Sequence, residues 1–234
     1  MNKDYLMHYG IPGMKWGVRR FQEKGSSKRT AAGKKRYIHS STGLADKLYK
    51  NASASEPKIT KDIVRSIKKS GGKTYGLKNR LKTKESLQRK IAADAKQNNI
   101  SAVQAAKNIK DAVRYTAVFD DDHFVSGYES IKKDLENQGY IETRCRNYFD
   151  KYRKGTAKHK QITSIYSNAN GEQFELQFHT PSSIKAKEIK TPLYEEVRKP
   201  NVSISRKTVI EKRMSDLAKH VKNPKGVFSI KSHK

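Results

Sequence analysis

The densest chemistry in the chain sits in one short run. Phe174-Glu175-Leu176-Gln177-Phe178-His179 alternates strictly between apolar and polar residues. In a strand this puts Phe174, Leu176 and Phe178 on one face and Glu175, Gln177 and His179 on the other. A carboxylate, an amide and an imidazole side by side can ligate a metal, move a proton or orient a substrate through hydrogen bonds. The bland alternative is a polar face that simply meets water. Asp120-Asp121-Asp122 is a second cluster of ligand-type residues. Consecutive side chains diverge, so the triplet reads as a helix-start signal before it reads as a cation site. The single cysteine, Cys145, excludes an internal disulfide framework and a Cys-rich zinc site, and it fits a reducing compartment.

These residues need a sheet to position them. Val113, Tyr115, Ala117 and Phe119 alternate with Ala112, Arg114, Thr116 and Val118, which predicts a central strand over 111–119 with both faces covered. Further strands are expected over 140–149, 160–167 and 172–179, the last two joined at Asn170-Gly171 by a hairpin of the primed-turn kind. Helical spacing marks Ile63, Val64 and Ile67, ended by Gly71-Gly72, and then Leu87, Ile91 and Ala95 after a cap at Thr83. Ser101 with Gln104 forms a capping box for a third helix. The triplet at 120–122 caps a fourth, carrying Phe124, Tyr128, Ile131 and Leu135 and closed by Gly139. Thr180-Pro181 starts a helix, Thr191-Pro192 restarts one, and Ser205 caps a last one with Ile210, Met214, Leu217 and Val221 on one face. The class is α+β, a mixed, mostly antiparallel sheet of about five strands flanked by helices.

Composition limits what surrounds that domain. Of 234 residues, 51 are Lys or Arg and 23 Asp or Glu, a formal net charge of +28, and only 34% are hydrophobic. That apolar share lies below the roughly 45–50% of ordinary globular domains and implies one modest core with much solvated chain. The first 80 residues hold 20 basic and 5 acidic side chains. Residues 23–58 are rich in Lys, Ser, Ala and Gly without a sustained apolar period, and they read as a mobile basic linker. Such a segment attracts nucleic acid by counterion release without reading its sequence; the alternative is a solvated tail of incidental affinity. No apolar run approaches the roughly 18–20 residues of a membrane span, and no secretory signal opens the chain, so a soluble protein without a membrane partner is expected.

The first residues differ from the linker. Apolar anchors between three glycines and a proline suggest a docking peptide over 1–22, the alternative being a hook packed on its own domain. The segment His8-Tyr9-Gly10-Ile11-Pro12-Gly13-Met14-Lys15-Trp16-Gly17-Val18-Arg19 resembles a short N-terminal peptide found ahead of unrelated domains in proteins of tailed bacteriophages and prophages. That resemblance implies a phage or prophage context, with the host cytoplasm or the virion as location and the virion as a partner.

From Asn79 to Arg198 the order of motifs resembles the synthetase domain of the RelA/SpoT nucleotidyltransferase-like family, which moves pyrophosphate from ATP to a nucleotide 3′-hydroxyl. Three places carry the likeness. Arg80-Leu81-Lys82-Thr83-Lys84-Glu85-Ser86-Leu87-Gln88-Arg89-Lys90 is similar to the family's Arg-x-Lys…Ser…Lys segment. Asp111-Ala112-Val113-Arg114 resembles its Asp-x-x-Gly-x-Arg strand, with the glycine replaced or shifted in register. Glu175-Leu176-Gln177-Phe178-His179-Thr180 resembles Glu-x-Gln-x-Arg-Thr with His179 in place of Arg. The resemblance implies that Asp111 and Glu175 hold Mg2+ and that ATP is the donor. It makes Glu175 a candidate to deprotonate the attacking hydroxyl, and Arg80, Lys82, Ser86, Lys90 and Arg114 donor-phosphate ligands. Gln177 and His179 would orient substrate. Where the family carries a Gly-Tyr run that stacks on the acceptor base, this chain reads Lys154-Gly155-Thr156-Ala157-Lys158-His159-Lys160. Lys158, His159 and Lys160 in place of the tyrosine would suit a phosphate-rich acceptor, and the resemblance implies a nucleotide or, as in toxin members of the superfamily, the 3′ end of tRNA.

The expected organisation is a peptide at 1–22, the basic linker at 23–58, a short helix at 59–73, the nucleotidyltransferase-like domain at 74–222 and a basic tail at 223–234. The expected function is pyrophosphate transfer; the alternative is a catalytically silent virion protein that holds nucleic acid through its basic segment. The charge predicts binding to RNA and DNA that weakens steeply from low to physiological salt, the slope of log affinity against log salt counting the phosphates neutralised. Fluorescence anisotropy across a salt series reads that slope, and a flat profile would contradict a charge-driven contact.

Overall fold

The computed structural model describes residues 31–155, 157, 159–197, 199 and 201–234, with side chains from residue 41 onward. The peptide expected at 1–22 lies outside the described residues. The described residues divide into two compact units, residues 31–47 with 84–108 and residues 48–83 with 109–234. The long helix α1, Ala31–Lys69, contributes to both.

Residues 31–58 correct the expected linker, because they are helical. Ser41, Ala45, Ala52, Glu56, Ile59 and Ile63 are buried at spacings of four, seven, four, three and four, one stripe of a helix. Small residues form the stripe through its first half, so no large apolar period was visible there. The helix expected near 59–73 is the C-terminal half of the same element.

In the smaller unit, α2 (Lys84–Gln97) buries Leu87, Ile91 and Ala95, and α3 (Ala102–Lys107) starts where Ser101 Oγ accepts the Gln104 amide at 3.1 Å. Both helices stand where their periodicity put them.

The larger unit contains a five-stranded sheet in the order β1-β2-β5-β4-β3. The strands are β1 Lys73–Thr74, β2 Arg114–Val118, β3 Tyr140–Asn147, β4 Ile162–Asn168 and β5 Gln173–His179. β2 and β5 are parallel and the other neighbours antiparallel, so the sheet is mixed and mostly antiparallel as expected. One face is aromatic: Phe174 meets the Tyr115, Tyr140 and Tyr166 rings at centroid distances of 5.9, 5.4 and 5.5 Å. α4 (Phe124–Asn137) packs there through Tyr128, whose ring lies 5.0 Å from that of Phe178. The C-terminal half of α1 reaches the same face, Thr60 Oγ1 standing 2.8 Å from the Tyr115 hydroxyl. α6 (Pro181–Val197) follows β5 directly and reaches the polar face, where Lys187 meets Gln177.

Three local expectations change. The β4–β5 connection is a four-residue loop, not a two-residue primed turn: the Gly171 amide donates to Asn168 O at 2.9 Å, with Gly171 alone at positive φ, 75°. Asp120–Asp122 form a turn ahead of α4 with no side-chain cap, and His123 occupies the cap position. Pro192 lies inside α6 and does not restart a helix, while α7 (Ile204–Lys219) is capped by Ser203 in place of Ser205.

The C-terminal segment expected as a tail is docked on β3. Val227 and Ile230 are buried, and the Asn147 amide donates to their carbonyls at 2.7 and 3.0 Å. His233 and Cys145 exchange both backbone hydrogen bonds at 3.0 Å, and His233 Nε2 lies 3.0 Å from Glu142 Oε2. Among the described residues no helix is long and apolar enough to cross a membrane.

Phe119, the residue after β2, is held between two glycines. A Cβ on Gly72 would stand 2.6 Å from its ring and one on Gly127 closer still. Gly127→Ala therefore overpacks the junction of α4 and the sheet. We expect a loss of about 1–3 kcal/mol in urea denaturation; an unchanged midpoint would show that Phe119 moves freely.

Candidate active site

The polar face of β5 and its neighbour β2 build the site. Parallel pairing places Arg114 opposite Glu175, Thr116 opposite Gln177 and Val118 opposite His179. The backbone of 80–82 runs alongside the approach to β2: the Arg114 amide donates to Arg80 O at 2.7 Å and the Lys82 amide to Ala112 O at 2.9 Å. Segments remote in sequence thus converge at the head of the β2–β5 pair.

Arg114 joins the two carboxylates. Its Nη2 donates to Asp111 Oδ2, and its Nε lies 2.7 Å from Glu175 Oε1, an ion pair by distance without an aligned hydrogen bond. Lys82 Nζ stands 3.0 Å from Asp111 Oδ2. Asp111 and Glu175 are each about 9% exposed. The cost of burying two carboxylates is offset by the cations beside them. Burial pushes the Lys82 ammonium below the ordinary lysine range, and the like charge of Arg114 adds to the shift.

Gln177 extends the arrangement. Its Nε2 donates to Glu175 Oε1 at 2.7 Å, and its Oε1 accepts from Lys187 Nζ of α6 at 2.8 Å. His179 is fully buried, its Nδ1 2.8 Å from Ser183 Oγ, and its Nε2 has no hydrogen-bond partner among the described residues. Burial, with Lys187 as the next contribution, drives its basicity far below the ordinary range, so the ring is neutral.

Other expected ligands have partners of their own or differ in state. Arg80 directs its Nε to Glu56 of α1. Lys160 is buried and donates to Val221 O at 2.7 Å, an anchor between the start of β4 and the end of α7. His159 packs on Tyr148 with centroids 4.2 Å apart, and burial pushes its pKa down to about 4, so it offers no cationic charge near neutrality. Ser86 and Lys90 belong to the smaller unit, where Ser86 Oγ accepts from Arg89 at 3.2 Å and Lys90 pairs with Asp94 at 3.1 Å. Lys158 lies outside the described residues.

Sequence reasoning missed the inward stripe of α6. Ser183, Lys187, Lys190 and Tyr194 follow at spacings of four, three and four, and all line a cavity of about 390 Å3 with His179 and His159. The spacing was readable, but lysines ordinarily mark a solvated face. Here burial pushes both Lys187 and Lys190 down to about 8. A second cavity, of about 440 Å3, is lined by Tyr75, Arg114, Thr116, Lys187 and Glu188 among others.

Asp111 and Glu175 fit a magnesium ion by donor chemistry. Both are hard oxygen ligands, and both already turn toward one shared cation. Magnesium keeps part of its shell for water and substrate phosphates, so two protein carboxylates suffice as anchors.

A family model described as "Family of unknown function (DUF7211)" matches residues 2–23. No curated protein matches the chain. Among solved structures, the chain is similar to a GTP pyrophosphokinase family protein from Streptococcus pneumoniae, at 14% identity over 73% of this chain and 82% of that one, TM-score 0.48. It is similar to small alarmone synthetase 2 from Bacillus subtilis, at 13% identity over 74% and 89%, TM-score 0.49. It is also similar to a chain in the complex between the Type VI effector Tas1 and its immunity protein, at 17% identity over 74% and 93%, TM-score 0.46.

Arg114→Met removes the cation shared by the two buried carboxylates. We expect a loss of about 2 kcal/mol, below the usual cost of breaking a buried pair because the guanidinium is one-third exposed. Denaturation with and without Mg2+ should show part of the loss recovered by the ion. Full stability of the variant would mean that the carboxylates do not depend on Arg114.

Proposed function

We propose that the protein transfers pyrophosphate from ATP to the 3′-hydroxyl of a nucleotide or of tRNA. The observation that supports this most is the convergence of Asp111, Arg114 and Glu175, with Lys82, in one buried cluster. Transfer between phosphate esters asks mainly for positioning and charge neutralisation, and this cluster supplies both. The resemblance of the three motifs to the RelA/SpoT synthetase domain supports the same reading.

In this reading the acceptor 3′-oxygen forms a bond to the β-phosphorus of ATP, and the bond from that phosphorus to the α-bridging oxygen breaks, releasing AMP. Glu175 accepts the hydroxyl proton; Gln177, donating to the same carboxylate, fixes its orientation. Arg114 and Lys82 neutralise charge on the phosphate oxygens. Asp111 and Glu175 are the residues that would hold magnesium, which when bound would supply further neutralisation of triphosphate charge. His179 contributes a neutral ring at the cavity wall.

The acceptor, the phage or prophage context and the binding of nucleic acid through the basic segment belong to the same proposal. The net charge supports a phosphate-rich acceptor. Whether the product acts as signal or toxin follows from which acceptor is labelled.

The test is transfer of label from γ- or β-labelled ATP with Mg2+ to GDP, GTP, ADP or bulk tRNA, with Glu175→Gln alongside. We expect one acceptor to be labelled and the variant, folded, to lose about 10²–10⁴-fold in rate. Equal transfer by the variant would remove the site assignment. No label from folded wild-type protein would favour the silent, nucleic-acid-holding alternative.

A further inference from the structure

Lys187 stands where two cavities meet. The cavity carrying His179 and Tyr194 and the cavity carrying Arg114 and Tyr75 share Lys187 and Thr191 in their walls. Its Nζ donates to Gln177 Oε1 at 2.8 Å, and among the described residues that is its one hydrogen-bond partner. An ammonium has three donors, so two are left for a ligand at the wall the cavities share.

The charges around it do not balance. Lys82, Arg114 and Lys187 are three cations gathered about two carboxylates, Asp111 and Glu175. In the walls of the two cavities Glu188, which accepts from the Tyr75 hydroxyl, adds one carboxylate, and Lys160 and Lys190 add two more cations. Lys187 feels the repulsion directly: after burial, the charge of Arg114 is the next influence that lowers its pKa, to about 8, while Glu175 acts in the opposite sense. Gln177 uses both ends of its amide, one on Glu175 and one on Lys187. It thereby keeps the ammonium one group away from the carboxylate. A lysine held short of the nearest anion and beside a second cation is arranged to receive an anion from outside.

We propose that Lys187 forms a pyrophosphate-binding position between the two cavities, holding the pyrophosphoryl group as it passes from a donor in one to an acceptor in the other. This rests on the transfer reading for its function, but the anion position is defined by the side chains alone.

Inorganic pyrophosphate is the probe. Calorimetric titration at pH 7 should show binding by the wild-type chain, weakened at least tenfold in Lys187→Met and largely kept in Lys187→Arg, with melting temperatures confirming that both variants are folded. Binding should weaken as pH rises beyond about 8, where the free lysine loses its proton; Lys190, brought down to about 8 in the same cavity, adds to that limb, and the arginine variant should lose the part that belongs to Lys187. Should Lys187→Met fail to fold, the arginine variant and the wild-type pH profile still decide. Undiminished binding by folded Lys187→Met, an unchanged pH limb in Lys187→Arg, or no binding by the wild type would each overturn the proposal. Lysine-dependent pyrophosphate binding without label transfer to any acceptor would leave the anion position standing and remove the transfer reading. Transfer that needs Glu175 but proceeds unchanged in Lys187→Met would do the reverse.

Discussion

The guanidinium of Arg114, placed between the carboxylates of Asp111 and Glu175, is the contact on which the site depends. Two carboxylates with little access to water repel each other and resent burial; a shared cation makes their approach tolerable. The backbone sets this up. β2 and β5 are the one parallel pair in the sheet, and their register puts Arg114 beside Glu175. Parallel pairing requires a crossover. Here the intervening chain supplies α4, β3, the short helix α5 (Tyr148–Arg153) and β4 before β5 returns to lie between β2 and β4.

The two faces of the sheet divide the work. The aromatic side, with Phe174 among three tyrosines, closes against α4 and the C-terminal half of α1. The polar side is left to α6, which covers it with serine and lysine instead of a full apolar stripe. That choice leaves cavities where a core would otherwise close. Burial there keeps His159 and His179 neutral and lowers Lys187 and Lys190, so the electrostatics of the region rest on few charges.

Strong periodicity was legible in the sequence and weak periodicity was not. The alternation in 174–179 placed Glu175, Gln177 and His179 on one face, and the strand containing Arg114 was recognised by the same signal, though it begins at Arg114 instead of residue 111. The first half of α1 escaped because its buried stripe is built from Ser41, Ala45 and Ala52, which carry little hydropathy. The docking of residues 227–233 on β3 depends on backbone pairing and on Asn147, neither of which leaves a pattern in the sequence. Side-chain commitments were the least visible. Arg80 and Lys160 carry the charge of phosphate ligands, but a carboxylate on α1 and a carbonyl after α7 engage them. Lys187 escaped for the opposite reason: lysine on a helix is normally a solvent residue.

Cations on both sides of a carboxylate pair, with open volume beside them, suit the movement of a polyphosphate fragment more than the hydrolysis of an isolated ester. The central claim concerns which phosphorus is attacked, and the nucleotide left behind reports it. Phosphorus NMR of the protein with ATP, Mg2+ and a mixture of nucleotide and tRNA acceptors resolves AMP from ADP in one spectrum. The account predicts AMP accumulating in step with a new acceptor-linked pyrophosphate. ADP with free phosphate, or an unchanged ATP spectrum from folded protein, would contradict it.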